Sequence, residues 1–338
     1  MIIITQPGAT EEQIEQIVSR VQEFGLEAEV SRGGTRVIVG VTGPAELVRD
    51  QRLSSMPGVE AVVPASTHYK LAAYEARGTA SKVDICGVSI GGDSAVALIC
   101  GPCSVESREQ MLSVARRVKD AGARVLRGGA FKPRTSPYSF QGLQEEGLRF
   151  LAEARNETGL PVVTEVMDAR DLPIIERYAD CLQIGARNMH NFSLLKEVGR
   201  SHLPVLLKRG FSATINELVM SAEYIMSAGQ EHVLLCERGI RTFETATRYT
   251  LDLTAVPILK AKTHLPVVVD PAHAVGLRAF VPQMAIAAIA AGADAIMLEV
   301  HDTPETAKCD GEQALVTETL SKLFPRFRAV ANAIGRDL

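Results

Sequence analysis

Cationic side chains recur directly after short apolar segments in this sequence, although the chain as a whole carries a net charge of −4. Six of these cations form one candidate set: Arg127, Lys132, Arg134, Arg187, Lys208 and Arg238. Arginine suits phosphate and carboxylate groups through bidentate contacts, and lysine binds them as a point charge. The hydroxyl groups of Thr135 and Ser136 add hydrogen-bond donors. The set therefore predicts a site for substrates with several negative charges.

A second set of residues has the donor types that bind divalent transition metals. Its members are Cys103, His273, Glu299 and Asp310. A thiolate, an imidazole and two carboxylates suit one ion of the Mn, Fe, Co or Zn class and do not select among these metals. No short ligand motif links the four residues, so the prediction depends on a fold that brings them together.

Eight short apolar segments precede these residues and are predicted to be strands, each followed by a helical segment. They are Val96–Cys100, Arg124–Arg127, Pro161–Glu165, Cys181–Ile184, Pro204–Lys208, His232–Cys236, Pro266–Asp270 and Ala295–Glu299. An eightfold β–α alternation over about 240 residues favours a closed (β/α)8 barrel, whose active site lies at the carboxyl ends of the strands. Both residue sets and Glu165 fall at those ends. A final helix is expected over about Glu312–Ile334.

The chain before the barrel reads as a small α+β unit. Residues 1–64 show a βαββαβ pattern of the ferredoxin-like type, with a capping box at Thr10 and Gln13 and a second helix expected over about Ala45–Leu53. Residues 65–94 are expected to form a connector with a hairpin around Cys86-Gly87, and residues 95–338 the catalytic barrel. A structural or oligomerising cap and a regulatory ligand-binding domain both fit residues 1–64.

Composition narrows the class of protein. The apolar fraction of 46% is sufficient for a large core, and the apolar runs are too short and interrupted to span a bilayer. The first residues do not have the pattern of a secretory signal, so the six cysteines favour reduced thiols in the cytoplasm over a disulfide framework. The acidic net charge argues against general binding of nucleic acid.

The segment Cys100-Gly101-Pro102-Cys103 has the C-x-x-C spacing of thioredoxin-type redox motifs. The length of the chain and its β–α repeat do not fit a thioredoxin domain, and the sequence contains no tryptophan. A redox enzyme is therefore disfavoured. A disulfide between Cys100 and Cys103 under oxidation, which would remove a metal ligand, stays open.

Long motifs at the strand ends resemble those of 3-deoxy-D-arabino-heptulosonate-7-phosphate (DAHP) synthase. They are Gly101–Ser104, Leu126–Pro137, Gln183–Asn188, Leu207–Gly210, Cys236–Phe243, Val269–His273 and Glu299–His301. The resemblance covers about residues 95–335. It is to the branch that is similar to 3-deoxy-manno-octulosonate-8-phosphate synthase, some members of which carry an N-terminal ferredoxin-like domain.

This resemblance implies a cytoplasmic, metal-dependent condensation of phosphoenolpyruvate with erythrose 4-phosphate, the first step of the shikimate pathway to aromatic amino acids. It assigns phosphoenolpyruvate to Arg127, Lys132, Arg187, Lys208 and Arg238, the second phosphate to Arg134, Thr135 and Ser136, and the metal to Cys103, His273, Glu299 and Asp310. It also implies a proton-donating role for Lys132 and a water-orienting or proton-relay role for Glu165. A homo-oligomer, with a tetramer favoured, and inhibition by Tyr or Phe through residues 1–64 are further expectations.

Two alternatives remain at this stage. The octulosonate synthase performs the same chemistry on arabinose 5-phosphate, and the segment Lys132–Ser136 favours the heptulosonate type. A catalytically inactive regulatory barrel is the other alternative, and the complete set of cations and ligand types argues against it.

Overall fold

The structure is a computed structural model that describes residues 2–32, 37–42, 51–63, 69–132, 136 and 138–338. The chain divides into two compact units, Met1–Lys70 and Leu71–Leu338.

Among its described residues, the small unit has a four-stranded antiparallel sheet with an α-helix packed on it. Its elements are β1 (Ile2–Thr5), α1 (Glu11–Glu23), β2 (Glu27–Arg32), β3 (Val37–Thr42) and β4 (Val59–Val63), and the strand order is β2-β3-β1-β4. The capping box is confirmed, since Thr10 and Gln13 bond each other's backbone N–H groups. The predicted ferredoxin-like fold is confirmed. Residues 45–50 of the expected second helix lie outside the described residues, and Gln51–Ser55 form a 3-10 helix.

The large unit begins with a two-stranded antiparallel ribbon and continues as a closed barrel of eight parallel strands. The ribbon consists of β5 (Lys82–Ile85) and β6 (Val88–Gly91). The barrel strands are β7 (Ala97–Gly101), β8 (Val125–Arg127), β9 (Val162–Glu165), β10 (Cys181–Ile184), β11 (Val205–Lys208), β12 (Val233–Glu237), β13 (Val267–Val269) and β14 (Ala295–Glu299). The predicted (β/α)8 barrel is confirmed, and the ends of its strands differ from the predicted ends by at most one residue.

Helices follow the strands around the barrel. They are α2 (Arg108–Asp120), α3 (Glu145–Thr158), α4 (Leu172–Ile175), α5 (Phe192–Val198), α6 (Ile215–Ser227), α7 (Ala255–Lys262), α8 (Pro271–Val275), α9 (Val281–Ala290) and α10 (Thr317–Ala333). Among the described residues, no helix combines the length and apolar character needed to cross a membrane.

The ribbon covers the amino-terminal end of the barrel. Ile85 and Ile90 are fully buried and pack with barrel residues at the starts of the strands, such as Ala97 and Cys181. A barrel of eight strands has an interior that side chains fill. The ribbon therefore closes the end of the core opposite to the end where an active site is expected.

The expected start of the final helix at Glu312 is wrong, because α10 begins at Thr317. The residues before it instead form backbone hydrogen bonds at the carboxyl end of β14. The N–H of Leu315 donates to the carbonyl of Glu299 at 2.8 Å, and the N–H of His301 donates to the carbonyl of Leu315 at 2.9 Å. These bonds join residues distant in sequence, and they hold Asp310 and Gln313 beside β14.

Candidate active site

The carboxyl ends of the barrel strands surround a cavity of about 300 Å³. Five predicted substrate-binding cations line it: Arg127, Lys132, Arg187, Lys208 and Arg238. Ser136 and Glu165 line it as well. The predicted phosphate contacts Arg134 and Thr135 lie outside the described residues. The strand-end positions therefore bring the described members of the cationic set to one cavity.

The four predicted metal ligands form one cluster at this cavity. Their donor atoms all lie within 4.8 Å of one another, and they belong to Cys103, His273, Glu299 and Asp310. The Sγ atom of Cys103 is 3.1 Å from Asp310 Oδ2, and His273 Nε2 is 3.0 Å from Glu299 Oε1. These separations and donor types fit a divalent ion of the borderline class.

Asp270 determines how His273 is oriented. Its Oδ2 atom accepts a hydrogen bond from His273 Nδ1 at 2.7 Å, and its Oδ1 atom accepts one from the backbone N–H of His273 at 3.1 Å. Burial opposes a charge on His273, but Asp270 and Glu299 outweigh it and raise the pKa of the imidazole to about 10. Since a metal ligand must be neutral imidazole, a bound ion competes with that proton.

Arg127 connects the metal-ligand cluster to the cationic set. Its Nη1 atom donates to Glu299 Oε1 at 2.9 Å and to the carbonyl of Pro102 at 2.9 Å. Burial opposes ionisation of Glu299, but His273 and Arg127 hold the pKa of this carboxyl well below its usual range. The Nε atom of Arg127 is buried without a hydrogen-bond partner among the described residues. This donor suits an anion bound in the cavity.

Lys132 lies directly against Cys103. Its Nζ atom donates to the carbonyl of Cys103 at 2.9 Å and to the Sγ atom at 3.0 Å. Gly129 leaves the space for this contact, because a Cβ atom there would be 2.7 Å from the carbonyl oxygen of Cys103 and 3.0 Å from Lys132 Nζ. The lysine is therefore positioned to offset the charge of a thiolate at Cys103.

Glu165 and Arg187 are brought together at the cavity through Gly185. A Cβ atom at Gly185 would lie 2.0 Å from Glu165 Oε1, so only glycine leaves room for this carboxylate. Gln183 Nε2 also approaches Glu165 Oε2, at 3.5 Å. The Ile184-Gly185-Ala186-Arg187 segment thus passes Glu165 closely before Arg187 enters the cavity wall.

A pair of stacked aromatic rings supports the arginines. Phe211 and Tyr249 stack at 5.1 Å between centroids with an interplanar angle of 4°. The guanidinium of Arg238 lies 4.3 Å from the Tyr249 centroid, and that of Arg187 lies 5.3 Å from the Phe211 centroid. Such contacts stabilise a cation and restrict its orientation.

Two residues at strand ends point away from the cavity. Arg209 Nη1 bonds Glu237 Oε2 at 2.8 Å and Asp252 Oδ2 at 2.8 Å in a buried network. Neighbouring side chains on a strand face opposite sides. Lys208 and Arg238 therefore face the cavity, whereas Arg209 and Glu237 hold the surrounding elements.

Sequence reasoning missed several side chains at this site. Arg248 and Cys309 line the cavity, and Arg248 Nη1 bonds Asp310 Oδ1 at 3.3 Å. Gln313 Nε2 donates to Glu299 Oε2. These residues lie in loops rather than at strand ends, and only the proximity of Cys309 to the predicted ligand Asp310 in the sequence could have indicated one of them.

The thiol in contact with Cys103 is Cys309, at 3.2 Å between Sγ atoms. Ala97 and Ile99 of β7 belong to the barrel interior. Because side chains alternate along a strand, Cys100 faces the helices. The geometry therefore disfavours the disulfide between Cys100 and Cys103.

The fold and the site together define a (β/α)8-barrel enzyme whose strand ends combine a cationic cavity with a cluster of transition-metal ligand types. Comparison with known families makes this class specific. The DAHP synthetase I family matches residues 67–332, and the DAHP synthase ferredoxin-like domain matches residues 1–67. The chain belongs to the DAHP synthetase I family.

Individual relatives agree with this family. A phospho-2-dehydro-3-deoxyheptonate aldolase of Thermotoga maritima is 46% identical over 335 residues, which is 99% of this chain and 99% of the relative. A crystal structure of this enzyme from Thermotoga maritima has a TM-score of 0.79 at 44% identity and covers 99% of this chain and 98% of that chain. A 2-dehydro-3-deoxyphosphooctonate aldolase of Geobacter sulfurreducens is 32% identical over 267 residues, 74% of this chain and 97% of the relative.

Proposed function

We propose that this chain condenses phosphoenolpyruvate with erythrose 4-phosphate to give DAHP and phosphate. The observation that carries the proposal is one cavity at which buried cations adjoin four metal-ligand side chains. The full-length similarity to a phospho-2-dehydro-3-deoxyheptonate aldolase supports the choice of reaction.

Cys103, His273, Glu299 and Asp310 are proposed to hold one divalent ion of the Mn, Fe, Co or Zn class. When bound, such an ion supplies Lewis acidity that polarises an aldehyde oxygen or lowers the pKa of a water molecule. The mutual approach of the donor atoms supports this set, and the mixture of sulfur, nitrogen and oxygen donors supports the class of metal.

The cations are proposed to bind and neutralise phosphoenolpyruvate. Its phosphate and carboxylate would contact the five cations of the cavity. The Nε donor of Arg127 has no hydrogen-bond partner within the described part of the chain, which supports an anion at that position. Offsetting these charges allows two phosphorylated substrates to approach each other. Arg134, Thr135 and Ser136 are proposed to hold the phosphate of erythrose 4-phosphate.

In the reaction, C3 of phosphoenolpyruvate forms a bond to the aldehyde carbon, and the aldehyde oxygen takes a proton. Water adds to C2, and phosphate leaves from that carbon. Lys132 is proposed to donate the proton, and Glu165 to orient the water or relay a proton, since both side chains line the cavity.

An assay with two aldehydes tests this function. Metal-reconstituted protein is supplied with phosphoenolpyruvate and either erythrose 4-phosphate or arabinose 5-phosphate, and phosphate release is measured. We expect a preference for erythrose 4-phosphate of at least about tenfold in kcat/KM. A preference for arabinose 5-phosphate would indicate the octulosonate reaction that the relatives at 32% identity suggest.

A chelator provides the second arm of this assay. Phosphate release should stop when the metal is removed and return when Mn²⁺ or Zn²⁺ is added. Activity that survives complete metal removal would contradict the proposed ligands. No phosphate release with either aldehyde would favour an inactive regulatory barrel.

We also propose that residues 1–64 are a regulatory domain that binds Tyr or Phe as feedback inhibitor. The separate compact unit, its ferredoxin-like fold and its attachment to a barrel of this family support the proposal. A cytoplasmic homo-oligomer, with a tetramer favoured, is proposed on the family resemblance, without a nucleic-acid or membrane partner.

A further inference from the structure

A second thiol lies at the edge of the metal-ligand cluster. The Sγ atom of Cys309 is 3.2 Å from Cys103 Sγ and 3.6 Å from Asp310 Oδ2, and Cys103 Sγ is 3.1 Å from the same carboxylate oxygen. Cys309 is buried and lines the cavity. Its sulfur atom therefore forms a compact triangle with two of the proposed ligands.

The dimensions of this triangle fit a shared ion. Metal–sulfur bonds of about 2.3 Å and metal–oxygen bonds of about 2.0–2.2 Å limit two donors of one ion to a separation of roughly 4.6 Å. All three sides of the triangle are shorter than this limit. An ion in contact with Cys103 and Asp310 thus lies within reach of Cys309 through side-chain adjustment alone.

The local backbone explains how adjacent residues reach the same point. In an extended strand the side chains of neighbouring residues face opposite sides. Asp310 instead has a φ of 53°, which is uncommon outside glycine. In this turn the side chains of Cys309 and Asp310 point to the same side, as the 3.6 Å contact between them shows.

The surrounding cations can balance a second thiolate. Two thiolates and two carboxylates around a divalent ion leave a net charge of −2. Lys132 contacts Cys103, Arg127 contacts Glu299, and Arg248 contacts Asp310, so three of the four anionic donors have a cationic neighbour. Charge therefore does not prevent Cys309 from binding as a thiolate.

We propose that Cys309 is a further ligand of the ion held by Cys103, His273, Glu299 and Asp310, and that it shifts the site toward thiophilic ions. The inference rests on the proposed metal site. Soft thiolate donors favour Zn²⁺ and related ions over Mn²⁺, which prefers oxygen donors.

The test counts sulfur donors in the full-length protein. Zn²⁺-loaded protein is studied by X-ray absorption, and Co²⁺-loaded protein by its thiolate-to-cobalt charge-transfer absorption. We expect two sulfur neighbours in the wild-type zinc protein. Cys309→Ser should keep one of them and lose about half of the cobalt charge-transfer intensity. A wild-type zinc site with a single sulfur neighbour overturns the proposal, and this measurement does not depend on any variant folding.

Metal affinities provide a second readout. We expect Cys309→Ser to bind Cd²⁺ at least about tenfold more weakly, with a smaller change for Mn²⁺. Cys86→Ser is the matched control, because this exposed thiol lies in the ribbon at the opposite end of the barrel. Equal losses for Cd²⁺ and Mn²⁺ would contradict the selecting role.

The outcome is separable from that of the proposed function. Two sulfur neighbours in a protein that releases no phosphate would support the ligand and refute the reaction. One sulfur neighbour in a protein that prefers erythrose 4-phosphate would refute Cys309 alone.

Discussion

Asp270 shows how one buried side chain organises the catalytic end of the barrel. Its Oδ2 atom accepts hydrogen bonds from His273 Nδ1 and from Lys208 Nζ, so it joins a proposed metal ligand to a proposed substrate cation. Burial opposes its ionisation, but His273 and Lys208 hold the pKa of Asp270 well below its usual range. The carboxylate is therefore charged when it orients the imidazole.

Replacing this carboxylate should weaken metal binding without removing a ligand. Asp270→Asn loses the charged acceptor that orients His273, and we expect metal affinity to fall by about 10–100-fold. Titration calorimetry with Zn²⁺ and Mn²⁺ measures the change. The variant also leaves Lys208 buried without its ionic partner, which costs about 3–5 kcal/mol of stability, so the free energy of unfolding is measured alongside.

Asp168→Asn is the control for this prediction. It makes the same change of charge at a surface carboxylate that bonds Arg170 at 2.6 Å. Its metal affinity should equal that of the wild type. If Asp270→Asn also binds metal as the wild type does, Asp270 does not orient the ligand.

The active site of a (β/α)8 barrel lies at the carboxyl ends of its strands, and this rule locates the site residues that could be predicted from the sequence. Lys208 and Glu299 end buried apolar segments, so their positions follow from the barrel. Tyr249 and Cys309 lie in loops after β12 and β14, and their contacts with Arg238 and Cys103 depend on the path of those loops. No local pattern encodes such a path.

At the level of elements, the ribbon β5–β6 is expected to stabilise the barrel without contributing to catalysis. It fills the amino-terminal end of the barrel, and Ile90 is fully buried there. Ile90→Ala should lower the free energy of unfolding by about 2–5 kcal/mol, because it removes buried methyl and methylene groups and leaves a cavity. The KM values should stay unchanged, since the site lies at the opposite end. Urea unfolding and steady-state kinetics test both statements.

Lys82→Ala serves as the matched change in the same ribbon. It removes an ion pair with Asp93, and ion pairs this exposed to solvent contribute little to stability. We therefore expect little loss of stability. A change in KM for Ile90→Ala comparable to that of a cavity-lining variant would show that the two ends of the barrel are coupled.

The start of the final helix could not be predicted from the sequence pattern. All eight strands could be located because buried parallel strands are continuous apolar runs. The pairing of Leu315 with Glu299 and His301 is a non-local backbone contact, and it extends the strand top where helical spacing predicted α10. Local periodicity contains no information about such a competing partner.

At the level of the whole molecule, we expect the large unit to carry catalysis and the small unit to carry regulation. A truncated form of 3-deoxy-D-arabino-heptulosonate 7-phosphate synthase from Thermotoga maritima matches 80% of this chain at 45% identity with a TM-score of 0.74. The barrel unit of this chain begins at Leu71. Deletion of residues 1–64 is therefore expected to leave a folded, active enzyme.

The truncated chain should also lose inhibition by Tyr and Phe. Because the proposed inhibitor site lies in residues 1–64, the deletion removes that binding site. It leaves the proposed substrate-binding residues and metal ligands in place. Phosphate release is measured for both chains over a range of each amino acid, with kcat expected to be similar when no amino acid is added. Equal inhibition of the two chains would place the inhibitor on the barrel, and an uninhibited full-length chain would favour a structural or oligomerising role for residues 1–64. Sedimentation of both chains distinguishes that role, since an oligomerising unit changes the assembly when it is removed.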